Sequence, residues 1–320
     1  VDVYLTKPVK HSDLLDALAT LFGGSVRRDR AETPPQPASS PVKPLRILVA
    51  EDHPVNRKLV TTLLTKRGHT VESVDNGRSA VDAVALAGAR PFDVVIMDVQ
   101  MPTMSGLEAS VAIREREQTT GEHLPIVALT AHAMQGDRER CLQAGMDSYL
   151  SKPIDVDRLI ATVEAAGSGQ STQGAAAPSP GAPDAIFDEQ AALRHTGGDR
   201  KLLRKIVNLF RADAAASLKK IGGALSRRDP EALWTTAHAL KGSLATIGAQ
   251  AARRTTADIE RLGRAGSFDD ARDLYANLQQ QLRTLDRMLL TAGLVGSSRP
   301  RPAKKPAKPR SRKHRSRGRS

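Results

Sequence analysis

The sequence predicts a doubly wound α/β domain with a five-stranded parallel sheet, followed by an all-α helical bundle. Three observations carry this. Between residues 45 and 166, short apolar runs alternate with amphipathic helical patterns, the order that builds a parallel sheet covered by helices on both faces. Residues 185–293 have no strand-like alternation and several stretches of helical periodicity, which favours a bundle. Segments rich in proline, glycine, alanine and serine at 25–44 and 167–184 read as linkers.

The elements follow in order. LRILVAED (45–52) is a strand that ends in acids, and in HPVNRKLVTTLLTKRG the residues Val55, Leu59, Val60, Leu63 and Leu64 fall at helical spacing. TVESV is the second strand, with a helix near 78–87 after it. FDVVIMD is the third, with a helix from about Leu107. PIVALT and SYLSK are the fourth and fifth, with helices from about Met134 and Asp155. The full division is a stub (1–24), a Pro-rich linker (25–44), the α/β unit (45–166), a second linker (167–184), the helical unit (185–293) and a tail (294–320).

Composition limits the function classes. The net charge of +13 suggests nucleic acid until it is located. Residues 299–320 hold 11 Lys or Arg and no acid, which leaves 37 basic against 35 acidic residues elsewhere. The basicity belongs to the tail. Apolar runs such as FDVVIM fall far short of a membrane span, no secretory signal is visible, and the single Cys141 excludes an intramolecular disulfide.

In a doubly wound sheet the site lies beyond the carboxyl ends of the strands. Glu51 and Asp52 close the first strand, Asp98 the third, Thr130 the fourth and Lys152 the fifth. A lone strand-end acid is ordinarily a cap or a solvated residue; compatible groups at several ends point to a site. Three carboxylates in one crevice repel one another unless a cation joins them, and a hard divalent ion, Mg²⁺, suits oxygen ligands. Lys152 adds a positive group and Thr130 a hydroxyl. The set suits phosphoryl transfer, with a carboxylate as nucleophile and cations neutralising the moving group. Asp98 is the nucleophile candidate because it ends the inner apolar strand.

LVAEDHPVNRKL, VVIMDVQMPTMSGLEA, IVALTAHAM and YLSKPI resemble the motif regions of a response-regulator receiver domain, as found in hybrid sensor kinases. The resemblance implies a flavodoxin-like fold with Asp98 as phosphoacceptor. It implies Mg²⁺ on Glu51, Asp52, Asp98 and the backbone carbonyl of Gln100. Thr130 and Tyr149 become the switch residues, Lys152 pairs with the phosphoryl group, and the Lys152–Pro153 bond is expected to be cis. His53 and His132 stand where such receivers often carry asparagine; neither place bears the chemistry.

In EALWTTAHALKGSLATIGA (231–249), Leu233, Ala237, Leu240, Leu244 and Ile247 fall within about 40° of one line, a buried stripe. His238 lies roughly 140° from that line, on the face turned away from the core, with Lys241 and Gly242 as neighbours. An isolated histidine is ordinarily a surface residue, and no second ligand at metal spacing accompanies this one. AHALKGSLATIGA, however, is similar to the signature of histidine phosphotransfer (HPt) domains, and the resemblance implies that the all-α unit is a four-helix bundle. The resemblance implies that His238 carries phosphate, Lys241 stabilises it and Gly242 clears space for a docking receiver. His195 falls outside the motif and reads as structural or solvated.

Together the units imply a phosphorelay: phosphoryl on Asp98, exchange with His238, then transfer to a downstream response regulator. A flexible linker of 18 residues reaches about 20–25 Å, enough for one domain to visit the other. No P-loop or kinase glycine box is present, so the ATP-binding histidine kinase core is expected upstream. VDVYLTKPV (1–9) echoes MDSYLSKPI (146–154), and HSDLLDALATLF matches the helix after it. Residues 1–24 therefore read as the end of another receiver, and the chain as the C-terminal part of a bacterial hybrid kinase. Its expected location is cytoplasmic, with an inner-membrane anchor allowed in the parent protein. The competing reading is a non-catalytic adaptor whose tail binds nucleic acid or another polyanion in a salt-dependent manner; the tail lacks aromatic residues for base stacking.

Overall fold

The computed structural model describes residues 43–88, 91–131, 135–169 and 185–295. The stub at 1–24, the first linker up to residue 42, residues 170–184 of the second linker, His132 and residues 296–320 of the tail lie outside the described residues, whereas Leu294 and Val295, expected in the tail, are buried in the apolar core.

Among the described residues the strands form one parallel sheet of order β2-β1-β3-β4-β5. They are β1 (Arg46–Ala50), β2 (Thr70–Val74), β3 (Val94–Asp98), β4 (Ile126–Thr130) and β5 (Ser148–Ser151). β3 and β4 are buried throughout, and β1 from Ile47 onwards, which is why these three read as unbroken apolar runs. The edge strand β2 keeps only Val71 and Val74 half-buried. Ala50 pairs with Val74 on one side and Met97 on the other, and Asp98 pairs with Leu129. Glu51, one step past Ala50, therefore leaves the sheet beside Asp98. The strand order reverses direction between β1 and β3, and in such sheets that crevice is where ligands bind.

Helices cover both faces: α1 (Pro54–Arg67), α2 (Gly77–Leu86), α3 (Gly106–Thr120), α4 (Gln135–Gln143) and α5 (Val156–Gly167). Ile47, Val49, Ile96, Val127 and Leu129 pack with Leu59 and Leu64 of α1 and Leu159 and Val163 of α5. Leu48, Ala50, Val95, Met97, Ile126 and Ala128 point to the opposite face, against Ala80, Ala109, Ile113 and Cys141. This is the alternation that a period of two demands. Pro54 fits the first turn of α1, where its missing N–H costs nothing. Ser105 and Glu108 form a reciprocal capping box at the start of α3.

The second unit comprises a short α6 (Glu189–His195) and four long helices: α7 (Arg200–Arg227), α8 (Pro230–Thr246), α9 (Gln250–Ala265) and α10 (Phe268–Thr291). Asp199 and Asp229 cap α7 and α8 with their carboxylates. The expected stripe Leu233, Ala237, Leu240, Leu244 and Ile247 is fully buried. Each large member of it stabilises the bundle by about 1.5–3 kcal/mol. The apolar cluster on the α1–α5 side of the sheet continues into this bundle, with α1 lying against α7 and α8. The two units are docked on each other.

Candidate functional site

Strand ends assemble the first half of the site. Glu51 is fully buried, Asp98 nearly so, and Asp52 half-buried at the pocket edge. Oxygens of all three carboxylates lie within 4.8 Å of one another. Lys152 Nζ reaches Glu51 Oε2 and Asp98 Oδ2, each at 2.6 Å. Burial pushes the Asp98 carboxyl well above its usual range, Glu51 pushes the same way, and Lys152 opposes both. Burial and the Glu51 charge also raise Asp52. Burial favours neutral Lys152, but the charges of Asp98 and Glu51 win and raise it. One lysine leaves a surplus of negative charge in a low-dielectric crevice. A hard divalent cation fits a set of oxygen donors this close together.

The loops around this pocket are fixed by backbone contacts. Arg57 donates to the carbonyls of Glu51 and Asp52 at 2.6 and 3.0 Å, which pins the turn from β1 into α1. The Gln100 N–H donates to Asp98 Oδ1 at 3.2 Å. Gly106 N–H donates to the Val99 carbonyl, and a Cβ on Gly106 would collide with the Asp98 carbonyl. Thr103, between them, has φ +69°, an uncommon conformation for a residue with a side chain. Thr130 is buried at the end of β4, and its carbonyl accepts the Lys152 N–H at 2.7 Å. Tyr149 is half-buried, with the Arg138 guanidinium 5.8 Å from its ring centre. The Lys152–Pro153 peptide is cis, as the resemblance implies.

The second half of the site sits on α8. His238 Nδ1 lies 2.8 Å from Glu260 Oε1, and Lys241 Nζ lies 2.6 Å from Glu260 Oε2. Glu260 enters from α9 and is buried. Burial would raise its carboxyl, but the bonds from His238 and Lys241 outweigh that and hold it at about 2. A carboxylate facing Nδ1 places the ring proton there and leaves Nε2 with its lone pair. Trp234 stacks on His238 at 6.2 Å between centroids, and Arg264 stands over Trp234 at 4.8 Å. His195 is structural: Nδ1 meets the Thr246 carbonyl at 3.0 Å, and burial lowers its basicity.

Docking brings the halves together. Asp52, Asp98 and Lys152 line one cavity of about 520 Å³ with His238, Lys241 and Gly242. His238 does point away from the bundle core, but its side chain is only 17% exposed, with Glu260 and Trp234 against it and the α/β unit across the cavity. The seam is polar near the cavity. Thr246 Oγ1 donates to Asn56 Oδ1 at 3.0 Å, and Asn56 Nδ2 donates to Glu51 Oε1 at 3.1 Å. His53 Nε2 lies 3.0 Å from Asp213 Oδ2, and Lys66 pairs with Asp199.

Sequence reasoning missed Glu260, Asn56 and Asp213. A signal existed only for Glu260, an acid adjoining the buried stripe Ala252, Thr256, Ile259 and Gly263 of α9. His53 was assigned no role, and it caps α1 while reaching across the seam.

Comparison with known proteins agrees with this geometry. Residues 47–164 match the response regulator receiver domain and residues 205–288 the Hpt domain. The sensor histidine kinase GacS of Pseudomonas protegens is 37% identical over 248 residues, covering 76% of this chain and 26% of that protein. The signal transduction histidine-protein kinase BarA of Escherichia coli is 32% identical over 257 residues, covering 78% and 27%. The receiver domain of sensor histidine kinase PA1611 from Pseudomonas aeruginosa was solved with a magnesium ion coordinated in its active site cleft. It is 38% identical and covers 39% of this chain and 99% of its own, with a TM-score of 0.35. The chain belongs to the two-component signalling proteins, as a receiver domain joined to an Hpt domain in the manner of a phosphorelay. It spans about a quarter of the length of GacS and BarA. Both family matches fall on the folded units, and the polyanion-adaptor reading through the tail is not favoured. No helix among the described residues is long and apolar enough to cross a membrane.

Proposed function

We propose that this chain passes a phosphoryl group between Asp98 and His238, and the observation that carries the reading is their presence in one cavity. An Asp98 carboxylate oxygen attacks the phosphorus of a donor, and the donor's leaving group departs with the electron pair of the broken bond. Lys152, 2.6 Å from Asp98, neutralises oxygens of the incoming group. The lone pair on His238 Nε2 then attacks the same phosphorus. An N–P bond forms, the acyl phosphate O–P bond breaks, and its electron pair returns to Asp98. The proton stays on Nδ1, where Glu260 at 2.8 Å balances the positive phosphoimidazole. Lys241 adds charge on the same helix face.

Glu51, Asp52, Asp98 and the Gln100 carbonyl would hold Mg²⁺, which when bound supplies charge neutralisation at the phosphoryl oxygens. Thr130 and Tyr149 would report phosphorylation by rearranging. The relatives support a parent protein of the hybrid kinase class, with the kinase core upstream and a separate downstream receiver accepting phosphate from His238. The domain limits then run 45–166 for the receiver and 185–293 for the Hpt unit, with a cytoplasmic location.

The test is to label the full chain with acetyl phosphate and Mg²⁺ and map the sites by mass spectrometry. Wild type should yield both phosphoaspartate and phosphohistidine, His238→Gln only the former, and Asp98→Asn neither. Undiminished phosphoaspartate in Asp98→Asn would overturn the assignment.

A further inference from the structure

We infer that His53 and Asp213, with Asn56 and Thr246 beside them, select this chain's own Hpt unit as the partner of its receiver, so that exchange runs within one molecule. The inference rests on the Asp98–His238 exchange proposed above and adds who the partner is.

The chemistry lies in how His53 is held. Its side chain is 5% exposed, and Nδ1 accepts the Val55 N–H at 3.3 Å as the cap of α1. A nitrogen that accepts cannot carry the proton of a neutral ring, so the proton sits on Nε2 and points across the seam. Asp213 Oδ2 receives it at 3.0 Å. A partner with no acceptor at that place would leave a buried N–H unpaired, which penalises binding more than the bond itself rewards it. Asparagine at position 53 could still cap the helix, but has no atom where Nε2 stands.

Asn56 sets the register. It is 3% exposed and spends one end of its amide on Glu51 and the other on Thr246. Thr246 stands eight residues past His238 on α8, and Gly242 lies between them. A Cβ at Gly242 would stand 3.4 Å from Asn56 Nδ2, so the glycine leaves room for Asn56 that a longer side chain aimed the same way would take. One seam thus holds the acid pocket against the face of α8 that bears His238. Each receiver residue in it makes a directional bond that another Hpt surface would have to reproduce.

The experiment uses the full chain with acetyl phosphate and Mg²⁺, and follows the rate at which phosphohistidine appears at His238. Wild-type exchange should be first order and independent of chain concentration. Asp213→Ala should slow it about tenfold, and Asp213→Asn, which keeps an acceptor, should stay within about twofold of wild type. His53→Asn should match Asp213→Ala, and the double variant should be no slower than either alone. Undiminished Asp98 labelling in each variant confirms an intact receiver. Wild-type rates in both Asp213→Ala and His53→Asn, or exchange that slows in proportion to dilution, would overturn the inference alone. Labelled Asp98 without any phosphohistidine in the wild type would remove the exchange itself, and the inference with it.

Discussion

The acid pocket at the strand ends and the His238 site on α8 are charge inverses. Around Lys152 stand Glu51, Asp98 and, further out, Asp52. Around Glu260 stand His238, Lys241 and Arg264. The first site holds more acid than base and suits a divalent cation; the second holds more base than acid and suits a phosphate. Each would approach neutrality if it took up that ligand, and burial makes imbalance costly in both. A surplus of charge at a buried site thus indicates what that site accepts.

The largest break in this inversion should come from Lys152→Ala. Without the lysine, buried Glu51 and Asp98 face each other uncompensated, at a cost of about 3–5 kcal/mol. Thermal unfolding should show the loss, and Mg²⁺ should recover more of it than it adds to wild type. Equal gains in both proteins would contradict a shared role for lysine and metal.

Glu260→Gln tests the other centre. The carboxyl titrates at 4.5 when free and at about 2 in the fold. Its folded value is depressed, so its contribution is fully present above pH 4.5 and is lost as pH falls towards 2. The size is about 3 kcal/mol. Wild type should lose that much more stability than Glu260→Gln between these limits, measured by urea unfolding at each pH. Parallel profiles would remove Glu260 from the account.

A smaller effect distinguishes the acid cluster as a metal site. Mg²⁺ at a hundredfold above its dissociation constant should stabilise the wild type by about 2.7 kcal/mol, reversibly on chelation. Asp52→Asn should reduce that response sharply. The Hpt side offers a control, since His238→Gln should leave the response unchanged.

The fold and the acid site were legible because each rests on local pattern. Glu51, Asp52, Asp98, Thr130 and Lys152 each terminate an apolar run, and parallel topology alone brings such ends together. His238 was legible from helical angle and motif. Glu260 lies 22 residues from His238 on another helix, and Asp213 lies 160 residues from His53, so no local spacing marks either pair. The outward direction of His238 was read correctly, while its cover was not, because periodicity describes one helix and says nothing of what docks on it.

The cover has a consequence for competition. A partner carried on the same chain presents itself at a far higher effective concentration than most free proteins. On the proposed exchange, a separate receiver taking phosphate from His238 would act in the intervals when the seam opens. The lifetime of the docked pair, rather than the affinity of the downstream protein, would then set how fast the signal leaves the molecule.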